Sequence, residues 1–312
     1  MDNGTLVDSV TLVDNEAWEQ YINSLRKHCT SFNGSKEKLQ QAIVAAVKKR
    51  IPQKKCGIFF SGGVDSTVIA YLCKQFTKDL TNNFMCYTVG VKGSDDLRVA
   101  QHVAEQLHLP LRIKELSLQE FEYVVKKVAQ LLLNPHNEYP LPDNENLVVA
   151  MGVASVVYAA VMLAQEDTQN TVTTFFSGLG SEEIFAGYQR HADAHDRDDV
   201  NEECWNGLKK MWRRDMIRDY TLAKALGITV LTPFLDPEVI VEAMKIKPEL
   251  KINAEHKKII LREIALALGL PREIAYRPKK AAQYGSRFNH ALEILAKKNN
   301  FKYKLPYVRS LV

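Results

Sequence analysis

The stretch Cys56-Gly57-Ile58-Phe59-Phe60-Ser61-Gly62-Gly63-Val64-Asp65-Ser66 decides the architecture. Its first five residues form a short, mostly apolar run, the pattern of a parallel strand buried on both faces. The run ends at Gly62 and Gly63, which let the backbone turn tightly so that successive N–H groups point into one concavity. Residues 66–76 then read as a helix, whose N-terminal partial charge completes an anion site. The hydroxyls of Ser61 and Ser66 can donate to phosphate oxygens. Asp65 is the odd member, because a carboxylate beside a phosphate is favourable only with a cation between them. The motif therefore asks for a polyphosphate together with magnesium. It is not the Walker A loop, since GxxxxGK[ST] does not occur.

Outward from that loop, strands and helices alternate. Residues 36–50 carry Leu39, Ile43, Val44 and Val47 on one helical face, and Pro52 stops them. Residues 83–89 read as a second buried strand, 95–107 as a helix, and 111–115 as a third strand. Helical patterns follow at 118–133 and 146–164, then a strand at 171–176 that runs into another glycine loop. This alternation predicts βαβ units, hence an α/β fold with a parallel sheet sandwiched by helices. Beyond Ala194 the chain reads as a helical, charged C-terminal portion punctuated by prolines. Residues 1–35 read as a lead-in that closes at Asn33-Gly34-Ser35, and residues 36–312 as the domain.

The second glycine loop is Ser177-Gly178-Leu179-Gly180-Ser181-Glu182-Glu183-Ile184-Phe185-Ala186-Gly187-Tyr188. Ligands of open α/β sheets sit beyond the carboxyl ends of strands, so two such loops can face one pocket. Glu182 would then add a second carboxylate to the metal that Asp65 calls for. Alone, the loop reads as a glycine turn with acidic residues favouring the start of a helix. Together with the first loop it reads as a site.

Bulk properties exclude several classes. The 41 basic and 37 acidic residues leave a net charge of +4, too small and too dispersed to argue for nucleic-acid binding. Cys29, Cys56, Cys73, Cys86 and Cys204 form no CxxC pair, so neither a zinc ribbon nor a redox dithiol is indicated. Cys56 and Cys86 read as buried thiols. No apolar stretch is expected to approach the roughly 20 residues of a bilayer span. With an acidic N-terminus lacking a signal core, the default setting is cytoplasmic. His191 and His195 stand i, i+4 among Asp193, Asp196, Asp198 and Asp199, but with nothing apolar around them the cluster reads as a solvated charged face.

SGGVDS after CGIFF resembles the pyrophosphate loop of the N-type ATP pyrophosphatases, and GLGSEEIFAGYQRH resembles the second signature of the asparagine synthetase family. CYTVG at 86–90, PFLD at 233–236 and KKIILREIALALGLPREIAYRPKKA at 257–281 continue the likeness, which covers roughly residues 36–290 in consistent order. The ending Lys280-Ala281-Ala282-Gln283-Tyr284-Gly285-Ser286 looks closer to the asparagine-synthetase-domain-containing proteins. The resemblance implies an adenine-nucleotide α-hydrolase-like, Rossmann-like fold and an AMP-forming amidoligase using ATP and Mg2+. Ser61, Gly62, Gly63 and Ser66 would hold phosphates, with Gly178 and Gly180 beside them. Backbone at Val89 and Gly90 would meet the adenine, Asp65 and Glu182 would ligate magnesium, and Lys279 would stabilise charge as an adenylate forms. The partners implied are a small-molecule carboxylate and ammonia or another amine, with a separate glutaminase subunit as one source. No nucleic acid and no membrane are expected, and a homodimer stays open.

Three positions depart from the family pattern. The glutamate of its GEG signature is Leu179, which accepts no proton or hydrogen bond. The metal-binding aspartate is Glu182, and the Glu-x-Arg before PFLD is occupied by Thr229 and Leu231. These changes weaken aspartate as the substrate more than they weaken the ATP chemistry, so asparagine formation is expected to be weak or absent. No N-terminal nucleophile domain is expected ahead of the Met1-Asp2 start. Two other readings remain: a nucleotide-binding relative without catalysis, and an ATP pyrophosphatase acting on a nucleobase.

Overall fold

The computed structural model describes residues 14–77, 83–138, 140–141, 146–167, 171–195, 199–278 and 281–312. In chain order the first half runs α1 (Asn15–Arg26), α2 (Lys36–Lys48), β1 (Cys56–Phe59), α3 (Val64–Phe76), β2 (Phe84–Val91), α4 (Asp95–Leu107), β3 (Leu111–Leu116), α5 (Leu118–Leu132) and α6 (Leu147–Gln165). Then come β4 (Thr174–Phe176), α7 (Ser181–Ile184), α8 (Gln189–His195), α9 (Val200–Met211), a π-helical turn (Trp212–Met216), α10 (Ile217–Leu226) and β5 (Thr229–Leu231). The chain finishes with α11 (Pro237–Met244), α12 (Ile259–Ala267), α13 (Arg272–Ala275), α14 (Ala282–Gly285), α15 (Phe288–Lys298) and α16 (Lys304–Arg309).

All five strands pair in parallel, in the order β3-β2-β1-β4-β5. The order reverses between β1 and β4, where Ile58 pairs with Phe176. The connection leaving β1 runs through α3 on one face, and the one leaving β4 reaches β5 through α10 on the other. A crevice opens at this switch point, where open sheets hold ligands. Both faces are covered, one by α1, α2, α3 and α4, the other by α5, α6, α10 and α15, with a continuous apolar cluster on each side. That two-sided burial is why β1 and β2 read as nearly unbroken apolar runs, whereas the edge strand β3 carries Arg112, Lys114 and Glu115. Cys56 and Cys86 lie in this core, and burial pushes the Cys56 thiol up to about 12.

Several expectations shift. β5 lies in a region read as helical; three residues after the left-handed Gly227 cap are too few to show a strand period. The lead-in holds α1, capped by Asp14 and buried through Trp18, Ile22 and Leu25, with Trp18 Nε1 donating to the Leu208 carbonyl at 2.8 Å. α6 corrects the statement about apolar stretches. It is 19 residues long with a window hydropathy of 2.4, enough by length and composition for a span, and 67% of that window is buried in the protein. Buried over most of its surface by neighbouring elements, such a helix has little polar face to show. His191 is not solvated but fully buried. Its Nδ1 accepts from the Tyr188 N–H at 3.1 Å. Burial first, and nearby cations second, push its pKa down to about 3.

The PFLD segment does structural work. Asp236 is 2% exposed, caps α11 by accepting from the Glu238 N–H, and receives Arg50 at 2.7 Å and Lys49 at 2.5 Å from the end of α2. Burial would raise its pKa, but the hydrogen bonds and charges of Lys49 and Arg50 outweigh it and hold the carboxyl below its usual range. Lys49 is 56% exposed, so Arg50, 5% exposed, carries most of the pair. Asp236→Asn leaves the Arg50 charge buried and should cost about 3–5 kcal/mol in chemical denaturation. A depressed carboxylate pKa gives stability that is present above about pH 3.9 and lost as pH falls through the folded value. The gap between parent and variant should therefore close below about pH 4; a gap that persists in acid would contradict the assignment.

Candidate functional site

The crevice at the switch point is a cavity of about 910 Å3, near the top of the ~300–1,000 Å3 usual for small-molecule sites. The loop after β1 turns through Gly62, whose φ of +65° is a conformation that favours glycine. It delivers Ser61, Asp65 and Ser66 to the cavity, with Val89 arriving from β2. Ser66 ties the loop together: its Oγ donates to the Gly63 carbonyl and accepts from the Ser61 N–H, each at 3.3 Å. The loop after β4 delivers Ser177, Gly178, Leu179 and Glu182 to the same space. Gly62, Gly63, Gly90 and Gly180 shape these loops without lining the cavity. Gly90 faces Ser94 at the start of α4, and Gly180, at φ +94°, packs on Leu235. Lys279 lies outside the described residues, while Ala281, Ala282 and Gln283 line the cavity. Thr229 and Leu231 lie on β5 and do not reach it.

The sequence gives no hint of what joins the two loops. Lys258 is 5% exposed, and its Nζ donates to both Asp65 oxygens at 2.8 Å, to Glu182 Oε1 at 2.7 Å and to Ser181 Oγ at 3.3 Å. Burial works against the ammonium, but Asp65 and Glu182 outweigh it and its pKa is raised. Lys258 reaches this position from a left-handed backbone with φ +57°. That conformation is costly for a residue with a Cβ and persists where its surroundings over-determine it, often at functional sites. Gly187 completes the seat, since a Cβ there would fall 1.7 Å from Glu182 Oε2 and 2.4 Å from Lys258 Cε. Arg277 donates to the Gly62 carbonyl at 3.3 Å and braces the first loop.

Glu183, next to Glu182, serves a second wall. It is 1% exposed and receives Arg214 in a very short contact and Arg190 at 3.8 Å. Burial, only partly offset by Arg214, raises its pKa to about 7. Arg214 also meets Asp215 at 2.7 Å, and Arg218 bridges Asp215 at 3.2 Å and Asp219 at 2.7 Å. Tyr188 lies between Arg190 and Arg214, whose guanidiniums stand 4.0 and 5.2 Å from its ring centre.

Asp65 and Glu182 are hard oxygen donors that suit magnesium. Two carboxylates converge with Lys258 at this point, a pair of oxygen ligands on which a further cation can be held. Among the described residues, no group of three or more His, Cys, Asp or Glu could hold a metal by itself. A cation here therefore needs ligand oxygens such as phosphates to fill its shell.

The chain is similar to known proteins over most of its length. The family model described as asparagine synthase matches residues 38–199 and 192–300. A protein of Methanocaldococcus jannaschii bearing the name of a glutamine-hydrolysing asparagine synthetase is 32% identical over 310 residues, covering 88% of this chain and 54% of its own. Asparagine synthetase B of Escherichia coli is 25% identical over 275 residues, covering 84% and 46%. The chain spans about half the length of these curated relatives. Among solved structures, an NMN synthetase of Francisella tularensis is 12% identical with a TM-score of 0.42, covering 88% of this chain and 93% of that one.

The Lys258 assignment has a direct consequence. Lys258→Met leaves two carboxylates facing each other, one of them buried, and should cost about 3 kcal/mol in metal-free buffer, because a buried charge loses its partner. Millimolar magnesium should recover part of that loss in the variant. Because the raised lysine pKa stabilises below about pH 10.4 and is lost only above the folded value, the parent's advantage should be flat from pH 7 to 9. Equal stability of parent and variant in metal-free buffer would show that the triad contributes nothing.

Proposed function

Because the chain belongs to the asparagine synthase family, we propose that it is an ATP-dependent amidoligase that activates a carboxylate as an acyl-adenylate and passes the acyl group to an amine. One observation carries the proposal: loops from β1 and β4, adjacent at the switch point, bring Asp65 and Glu182 onto one ammonium beside a phosphate-type turn. A cluster of oxyanion ligands and fixed cations suits a reaction whose leaving group is pyrophosphate.

Ser61, Ser66 and the turn of backbone between them hold the β- and γ-phosphates. Asp65 and Glu182 would hold magnesium, which neutralises phosphate charge and favours pyrophosphate departure. Lys258 can follow the departing oxygens, since its three protons are already directed at this point. Lys279 adds positive charge as the adenylate forms. The strand backbone at Val89 receives the adenine. The substrate carboxylate attacks the α-phosphorus, and the amine then attacks the acyl carbon and releases AMP. Leu179 offers no proton acceptor, so the amine arrives neutral.

Incubation with ATP, magnesium, ammonia and a panel of carboxylates, followed by nucleotide chromatography, tests this reading. AMP and pyrophosphate in equal amounts are expected. ADP as the main product would contradict cleavage at the α-phosphorus. Bound ATP with no turnover for any carboxylate would favour the non-catalytic relative.

A further inference from the structure

The cavity is larger than its phosphate loops require, and its remaining walls describe the acyl substrate. One wall is α6, which presents Val149, Val153, Val156 and Val157 to the cavity. These recur at i, i+4, i+7 and i+8, a single helical face. Val149 is 41% exposed, an apolar side chain open to the cavity rather than packed in the core. Leu179 adds to this surface at the position where the family pattern has a carboxylate.

Opposite in character is the π-helical turn and the end of α9. Arg213, Arg214 and Asp215 all line the cavity, which three consecutive residues of a regular helix, spread over about 200°, do not readily achieve. The wider π turn allows it, and such turns recur at functional sites. Arg190, Arg214 and Arg218 are each paired with buried or half-buried acids. Lys210 and Arg213, i and i+3 on the exposed side of the same wall, have no hydrogen-bonding or ionic partner among the described residues. Glu19 of α1 stands on the same cavity, held by Asn15 Nδ2 at 2.7 Å. Lys210 and Arg213 are therefore the lining cations not committed to an acid among the described residues. A second, independent sign is Gln283. It is 7% exposed, lines the cavity, and its amide has no hydrogen-bond partner among the described residues. An amide that borders a cavity and makes no protein hydrogen bond is available to a polar atom of a ligand.

We infer that the acyl substrate is an extended carboxylate with an apolar body along the α6 valines and a second anionic group held by Lys210 and Arg213. This rests on the adenylation reading above, and it specifies the substrate class. The body is too apolar, and Leu179 too poor a partner, for a short zwitterionic amino acid. Gln283 meets a polar atom of the reacting end or of the body.

The test is calorimetric titration of the full chain at physiological salt, saturated with magnesium and α,β-methylene-ATP, which is not cleaved between α and β. Adipate and pimelate are compared with hexanoate, heptanoate and 6-aminohexanoate. The dianions should bind at least tenfold more tightly than the monoanions of equal length. Lys210→Met with Arg213→Met should erase that preference while nucleotide affinity and thermal midpoint stay unchanged. Equal binding of dianion and monoanion, preference for the amino analogue, or an unaffected preference in the double variant would each overturn the inference. So would binding of none of the acids to nucleotide-loaded protein. If the nucleotide itself fails to bind, the adenylation reading falls, and the same titration on nucleotide-free protein still decides whether the rim selects dianions.

Discussion

A buried ammonium held between two carboxylates from separate loops is the constraint on which the site depends. Asp65 follows β1, Glu182 follows β4, and Lys258 enters from a segment more than seventy residues further on. Neither Lys258 nor Asp65 would be stable here alone, because an unpaired charge inside a protein loses several kcal/mol of hydration. Together they fix where the two loops lie relative to each other. Gly187 permits the close approach, and the left-handed backbone of Lys258 sets its direction. The same group sets two carboxylates at the mouth of a phosphate-type turn. A structural lock and an affinity for a cation with phosphates thus come from one arrangement.

The sheet supplies the frame. Because β1 and β4 are neighbours with their connections running to opposite faces, the loops have a gap between them to fill. Helices on both faces keep the strands dry and the frame rigid. Glu182 and Glu183 then divide the cavity's chemistry: the first turns to Lys258 and the phosphate loop, the second to the arginines around the π turn. Adjacent residues on one short helix thereby anchor two different walls of the cavity.

Much of this was legible in the sequence, and the reasons are specific. CGIFFSGGVDS combines a buried-strand run with a glycine turn and a carboxylate, and the structure places Ser61, Asp65 and Ser66 together as that pattern requires. The central helices showed through their period. β5 did not, because three residues cannot display alternation. α1 carried a readable signal, with Trp18, Ile22 and Leu25 on one face after an Asp14 cap, which the breaks around it obscured. Lys258 could not be told from Lys257 by composition: one is buried between carboxylates while the other bonds Gln189 at the surface. His191 sits between Arg190 and Asp193 with only small apolar residues, Ala192 and Ala194, beside it, which do not mark a buried position. The paired arginines depend on long-range packing, which local pattern does not encode.

The central claim is that Asp65 and Glu182 form, with phosphate oxygens, a cation-dependent nucleotide site. It is tested most directly by titrating ATP into the unaltered protein calorimetrically, once with millimolar magnesium and once with excess chelator. The account predicts at least tenfold tighter binding with magnesium, a difference of about 1.4 kcal/mol or more, because the carboxylates repel bare phosphates. Equal affinity under both conditions would contradict it.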